Sequence, residues 1–290
     1  MNGPKMIYGN FDNRHTEQKY IHARNQTLHF LRRVSASARG RRLPLYAGGG
    51  MHLRLPIQGQ SIVYTYIRKN GCSAFKKWLR DTGSYETGKR ETSEMAKRYS
   101  VSFGWEVSQS DFLLVLRDPA ARLASLFRNK LIQRSYAGDI LENIKHLSRK
   151  SPDNLTFRTF VGEYIGPNIA LEALSGNRID AHARPQYLHL WPVLYNKVAM
   201  LADLPRAADD LFPSSISQTY FCRQRNSSST TLVDGDASDV SVRDLRENFL
   251  STGALPSDTA LFDDVLRRSV RSIYAADYDL LRSSFGHEYT

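Results

Sequence analysis

Two short segments carry residues whose types and spacing suit the binding of anions. Arg68, Lys69, Asn70, Gly71, Cys72, Ser73 and Ala74 follow the β-branched and aromatic run 61–67 and lead into an amphipathic stretch with Phe75 and Leu79 four apart. A turn between a strand and a helix presents unpaired backbone N–H groups and partial positive charge, which together favour a bound phosphate. Gly71 allows close backbone approach, Ser73 adds a hydroxyl and Lys69 adds a mobile point charge. In the second segment Arg117 ends the apolar run 111–116, and Ser125 and Arg128 share a stripe with Ala121 on the helix that follows. A guanidinium at a strand tip and a hydroxyl two turns along a helix can hold one phosphate between them. Neither segment has the G-x-x-x-x-G-K-[ST] pattern of nucleotide triphosphatases, and no acidic strand end offers a magnesium site.

The elements that must hold these groups are legible from periodicity. Residues 61–67 read as a strand, 111–116 as a strand buried on both faces, and 197–201 as a third. Asp118-Pro119 reads as an N-cap and first-turn proline, with Ala120, Leu123, Ala124, Phe127 and Leu131 as the core face behind them. Further helical stretches fall near 139–149, 156–164, 241–251 and 262–283, and 226–231 reads as an exposed polar loop. Strands alternating with helices imply an α/β fold, a parallel sheet flanked by helices, with ligands at the carboxyl ends of the strands.

Composition bounds the rest. With 290 residues, 41% of them hydrophobic and 24% charged, the chain is an ordinary globular one, and no run approaches the ~20 apolar residues that span a bilayer. Two cysteines, Cys72 and Cys222, are too few for a disulfide framework or a cysteine-based zinc site and point to a reducing compartment. Residues 1–60 hold ten Lys/Arg against two Asp/Glu, or +8 of a net charge of +11. They read as a basic, partly flexible N-terminal segment that ends near the Gly48-Gly49-Gly50 break, ahead of a domain over 61–290. Such a flank suits an anionic partner, or serves only as a solvated arm.

The motifs resemble those of a known family. Lys69-Asn-Gly-Cys-Ser-Ala-Phe-Lys-Lys-Trp-Leu79 is similar to the loop that binds the 5′-phosphosulfate of 3′-phosphoadenosine-5′-phosphosulfate (PAPS) in carbohydrate sulfotransferases. The segment 117–130 resembles their R-D-P-x-x-R-L-x-S-x-[YF]-R-x-K block, which grips the 3′-phosphate of the donor. Segment 180–186 is similar to the H-W-x-P-Q element of the Golgi carbohydrate sulfotransferases, and 273–280 resembles the closing segment of the same domain. The resemblance covers roughly 61–285 and implies a P-loop-like sulfotransferase fold. It departs from the pattern at Arg68, where proline is common, and at Ala183, where tryptophan is common; residues 1–60 match nothing in it. Golgi members carry a membrane anchor, so a bacterial-type cytoplasmic enzyme, or one peripheral to a membrane, is expected.

What the resemblance implies is sulfuryl transfer from PAPS to a carbohydrate hydroxyl, with acidic polysaccharides among the acceptors, by a lysine and backbone amides without a metal. Lys69, the amides of residues 71–74 and the Ser73 hydroxyl are expected around the leaving 5′-phosphate, and Arg117, Ser125 and Arg128 around the 3′-phosphate. His182, next to Arg184, is the favoured general base, with Glu86, Glu91, Glu94 and Glu106 as alternatives and no motif around His52 or His189. The competing readings are a nucleotide-dependent kinase of related fold, a donor-binding homologue without activity, and a basic nucleic-acid-binding protein. The last lacks any recognition-helix, RNP or zinc-finger pattern.

Overall fold

The computed structural model describes residues 50–286 apart from 87, 89–90, 103–106, 108, 176–178, 192 and 223–230. The expectations for residues 1–49, for Glu106 and for most of the 226–231 loop fall outside the described residues.

Four strands form the central sheet in the order β1 (Met51–Arg54), β2 (Ile62–Tyr66), β3 (Asp111–Leu116) and β4 (Lys197–Met200). β2, β3 and β4 run parallel, with Val63 opposite Phe112 and Leu114 opposite Val198. β1 pairs antiparallel to β2, Leu53 facing Tyr64. The sheet therefore begins at Met51, ten residues ahead of the boundary read from the sequence, and its first strand is an antiparallel edge that the βα alternation did not announce.

Alternation along the strands divides the interior into two cores, because successive side chains of a strand point to opposite faces. Val63, Phe112, Leu114 and Leu116 pack on one face with Leu123, Phe127, Phe160 and Leu281. Tyr64, Leu113 and Val115 pack on the other with Phe75, Leu79, Leu204 and Phe212.

Helix α1 (Cys72–Gly83) buries Phe75, Trp78 and Leu79, and Phe75 stacks on Tyr64 of β2 with centroids 3.8 Å apart. Burying each of these large side chains contributes about 1.5–3 kcal/mol. α2 (Glu91–Tyr99) packs on it through Met95. α3 (Pro119–Leu126) opens as expected, with the Asp118 carboxylate accepting from the Ala121 amide at 2.8 Å and Pro119 in the first turn.

It then widens into a π-helical turn over Phe127–Ile132, which the 3.6-residue reading did not contain. Beyond it lie α4 (Gly138–Ser148) and α5 (Gly166–Ser175), the latter entered through a second π-turn, Phe160–Ile165. α6 (Leu204–Leu211) follows β4, and α7 (Val242–Thr252) precedes the C-terminal pair α8 (Asp264–Ile273) and α9 (Ala275–Phe285). The single helix expected over 262–283 is thus two, broken at Tyr274, whose hydroxyl donates to the Ala183 carbonyl at 2.7 Å. Among the described residues no helix is long and apolar enough to cross a membrane.

Candidate active site

The loop after β2 is set by its backbone. Lys69 and Gly71 both adopt left-handed conformations, φ 73° and 76°, on either side of Asn70. For Lys69 this costs about 1–2 kcal/mol, a strain the surrounding contacts must hold. Gly71 suits both its φ and its surroundings: a Cβ there would stand 2.8 Å from Leu201 Cδ1 and 3.0 Å from Leu204 Cδ2, so those side chains would have to shift. Gly71 also occupies the N-cap of α1 and brings no side chain to the helix amides. The Ala74 amide donates to the Gly71 carbonyl at 3.1 Å, so it is the amides of Gly71, Cys72 and Ser73 that the helix end offers to a ligand. Ser73 is exposed beside them and Cys72 is half-buried.

The Lys69 ammonium lies 2.7 Å from Asn129 Oδ1 on the π-turn. Burial, together with the charges of Lys130, Arg117 and Arg122, lowers its pKa to about 7.

Asn70 behaves differently from its neighbours. Its side chain is fully buried, and its amide nitrogen donates to the Val115 carbonyl at 2.8 Å and to Gln186 Oε1. It fastens the loop to the end of β3 and to the 180–186 segment instead of reaching outward. Gln186, itself fully buried, is the hub of that fastening: its Oε1 also accepts from the Arg117 amide at 3.1 Å, and its Nε2 donates to the Arg117 carbonyl at 2.9 Å. Asp277 of α9 accepts the backbone amides of Gln186 and Tyr187 at 2.8 and 2.9 Å. Burial raises the Asp277 pKa, against the pull of those amides and of Arg122. Buried Arg122 completes the frame by donating to the Arg68 carbonyl at 3.1 Å and the Arg184 carbonyl at 2.9 Å. Gln186, Asp277 and Arg122 have no role that residue type and spacing announce. Their one signal is that polar residues recur within three of the quoted motifs.

At the tip of β3 the Arg117 guanidinium donates to the Lys69 carbonyl at 3.1 Å, so the two anion-suited turns touch. Burial, with Arg128 and Arg122 adding to it, lowers the Arg117 pKa to about 10 in spite of Asp258. Asp118 is occupied as the α3 cap. Ser125 is half-buried on α3, one turn ahead of Arg128. Arg128 is not free in this state: it forms an ion pair with Asp258 at 2.6 Å and donates to the Pro256 carbonyl at 3.1 Å.

His182 lies across the loop. Its Nδ1 is 2.6 Å from Asp180 Oδ1, and the Arg68 guanidinium stands 3.2 Å from the same nitrogen. Burial alone would raise the Asp180 pKa, but the hydrogen bonds and charge of His182, with Arg68, hold it below the ordinary carboxylate range. A carboxylate at that distance puts the proton on Nδ1 and leaves Nε2 as an acceptor. Burial lowers the His182 pKa to about 4, with Arg68 and Lys130 adding to it and Asp180 opposing. The side chain of Arg68 therefore belongs to the histidine side of the loop, while its carbonyl is held by Arg122.

Among the alternatives for a base, Glu91 is committed to Lys76 at 2.7 Å and Arg80 at 3.1 Å, Glu86 is exposed and Glu94 is half-buried on α2. His52 and His189 are core residues; His52 packs edge-on against Trp191 at 3.6 Å, and burial lowers both pKa values.

Lys69, Gly71, Arg117 and Arg128 thus line the carboxyl ends of two adjacent parallel strands, with a carboxylate-oriented histidine opposite. In comparison with known proteins, residues 58–282 match the model of the Sulfotransferase family. Searches of curated proteins and of solved structures returned no match.

Proposed function

The chain belongs to the sulfotransferase family, enzymes of sulfuryl transfer, and we propose that its donor is PAPS and its acceptor a carbohydrate hydroxyl. The observation that carries this reading is the contact between the two anion-suited turns: Arg117 donates to the carbonyl of Lys69, so the two turns lie side by side at the strand ends. A donor with a 5′-phosphosulfate and a 3′-phosphate on one ribose needs two such turns.

In the proposed reaction the acceptor oxygen attacks sulfur in line with the bridging oxygen of the donor. A new S–O bond forms, the bond to the bridging oxygen breaks, and adenosine 3′,5′-bisphosphate leaves. Lys69 and the amides of Gly71, Cys72 and Ser73 stabilise the charge that gathers on the 5′-phosphate. A lysine with a pKa near 7 is drawn fully to its ammonium form by an arriving anion. Arg117 and Ser125 hold the 3′-phosphate, with Arg128 beside them. His182 Nε2 takes the proton of the acceptor hydroxyl, and Asp180 steadies the imidazolium that results. A pKa of about 4, set mainly by burial, makes the resting histidine a weak base; the bound donor strengthens it by offsetting the charges of Arg68 and Lys130.

The cytoplasm is the proposed compartment, in keeping with free Cys72 and Cys222. The reading is tested by thermal melting with adenosine 3′,5′-bisphosphate, ATP and duplex DNA in parallel. Selective stabilisation by the bisphosphate is expected. Stabilisation by ATP alone or DNA alone would replace this reading with a kinase or a nucleic-acid-binding protein.

A further inference from the structure

Arg128 is paired with a carboxylate whose charge also acts on Arg117 and that no part of the reaction above uses. Asp258 lies in the first turn of the one-turn helix Asp258–Leu261, capped by Ser257, whose hydroxyl accepts the Ala260 amide at 3.1 Å. It reaches Arg128 at 2.6 Å from a sequence distance of 130 residues. The Arg128 side chain is 13% exposed and that of Asp258 45%. The arginine is therefore built into the wall and the carboxylate stands on its open side. Arg128 is also tied to the Pro256 carbonyl, so it stays aimed when the carboxylate leaves. Asp258 is, besides, the strongest charge acting to offset burial at Arg117.

We propose that Asp258 occupies the place of the donor's 3′-phosphate in the resting enzyme and competes with it for Arg128, so that it sets how tightly a 3′-phosphorylated nucleotide is held and how readily the product leaves. The inference rests on the proposed donor. The competition has a definite direction. A phosphate monoester brings a charge of about −1.5 to −2 and three acceptor oxygens, so it displaces a single carboxylate from a guanidinium pair. Once displaced, Asp258 remains close to the bound phosphate, where like charge weakens the complex. An enzyme that must release a tightly gripped bisphosphate after each turnover benefits from an internal anion ready to refill the site.

The test uses the full chain and calorimetry with two probes, adenosine 3′,5′-bisphosphate and AMP, the second lacking the 3′-phosphate. Asp258→Asn keeps the shape of the side chain and removes its charge; thermal melting establishes that the variant is folded. The expected result is bisphosphate binding tightened about fivefold or more, AMP binding within twofold of wild type, and a slower bisphosphate dissociation rate. In an Arg128→Ala background the same change should bring a much smaller gain, because the group competed for is gone and only the like-charge repulsion is relieved. Unchanged or weaker bisphosphate binding in a folded Asp258→Asn protein would overturn the proposal and leave the pair as a structural ion pair. An equal gain for AMP would overturn it too, since the effect would then be a general one of net charge. A wild-type protein that binds neither nucleotide would overturn the donor reading along with it, an outcome distinct from wild-type binding without the gain.

Discussion

Replacing Gln186 by leucine tests whether the site is one welded unit. The side chain is fully buried and joins three separate motifs: Asn70 of the first loop, the backbone of Arg117 at the strand tip, and through its own amide Asp277 of α9. Leucine has similar volume, so packing is nearly kept while four side-chain hydrogen bonds vanish: those with Asn70 and with the Arg117 amide and carbonyl, and a long one to Asp277 at 3.4 Å. At about 1 kcal/mol net for each of the first three, the loss is about 3 kcal/mol, and the Asn70 N–H left buried without that partner adds about 1–2 kcal/mol more. A total of about 4–5 kcal/mol is large for one substitution and has a named cause. Urea unfolding of wild type and variant measures it, with a midpoint shift at constant slope as the sign of lost stability. The same variant should bind adenosine 3′,5′-bisphosphate less tightly, since Lys69 and Arg117 lose their shared anchor. A loss below about 1 kcal/mol with unchanged nucleotide binding would refute the welded-unit argument, because hydrogen bonds of this kind average about that value singly.

Arg117→Ala and Ser125→Ala are expected to weaken binding of adenosine 3′,5′-bisphosphate while leaving adenosine 5′-phosphosulfate nearly unchanged; calorimetry with both ligands checks this, and equal weakening would mean that they support the fold. Because burial holds the Lys69 pKa at about 7, and an anion binds the ammonium form best, bisphosphate affinity should be greatest below pH 7 and fall as pH rises through that value; this dependence should disappear in Lys69→Met. Deleting residues 1–42 should raise the KM for a polyanionic acceptor and flatten its salt dependence without changing donor affinity, since exposed charges lose reach as the Debye length shortens from ~10 Å at 0.1 M salt; an identical KM and salt slope would leave the segment as a solubility arm.

How far the site could be read in advance depended on how local its chemistry is. Asp111–Leu116 announces a buried strand because an unbroken apolar run admits few other readings, and Asp118-Pro119 announces a helix start because capping is decided within four residues. Lys69 and Gly71 were legible for the same reason. The partner of Arg128 was not, since Asp258 is 130 residues away and any of many acidic residues would have fitted. Gln186 and Asn70 meet across 116 residues, and neither type by itself marks a buried hub. The π-turn at Phe127–Ile132 was invisible because one widened turn leaves the apolar spacing of Phe127 and Leu131 intact while redirecting Asn129 toward Lys69. β1 was missed because Met51–Arg54 is four residues long and its pairing depends on β2 being there to receive it.

The role proposed for Lys69 is to neutralise the leaving phosphate in sulfuryl transfer from PAPS. Single-turnover transfer of a radiolabelled sulfuryl group from PAPS to a glycan acceptor, in wild type and Lys69→Ala at saturating donor, measures it. A rate lowered by about 2–4 kcal/mol of barrier, or roughly 30- to 1,000-fold, is expected, with a much smaller change in the affinity for PAPS. Wild-type transfer rates in a folded Lys69→Ala protein would contradict it.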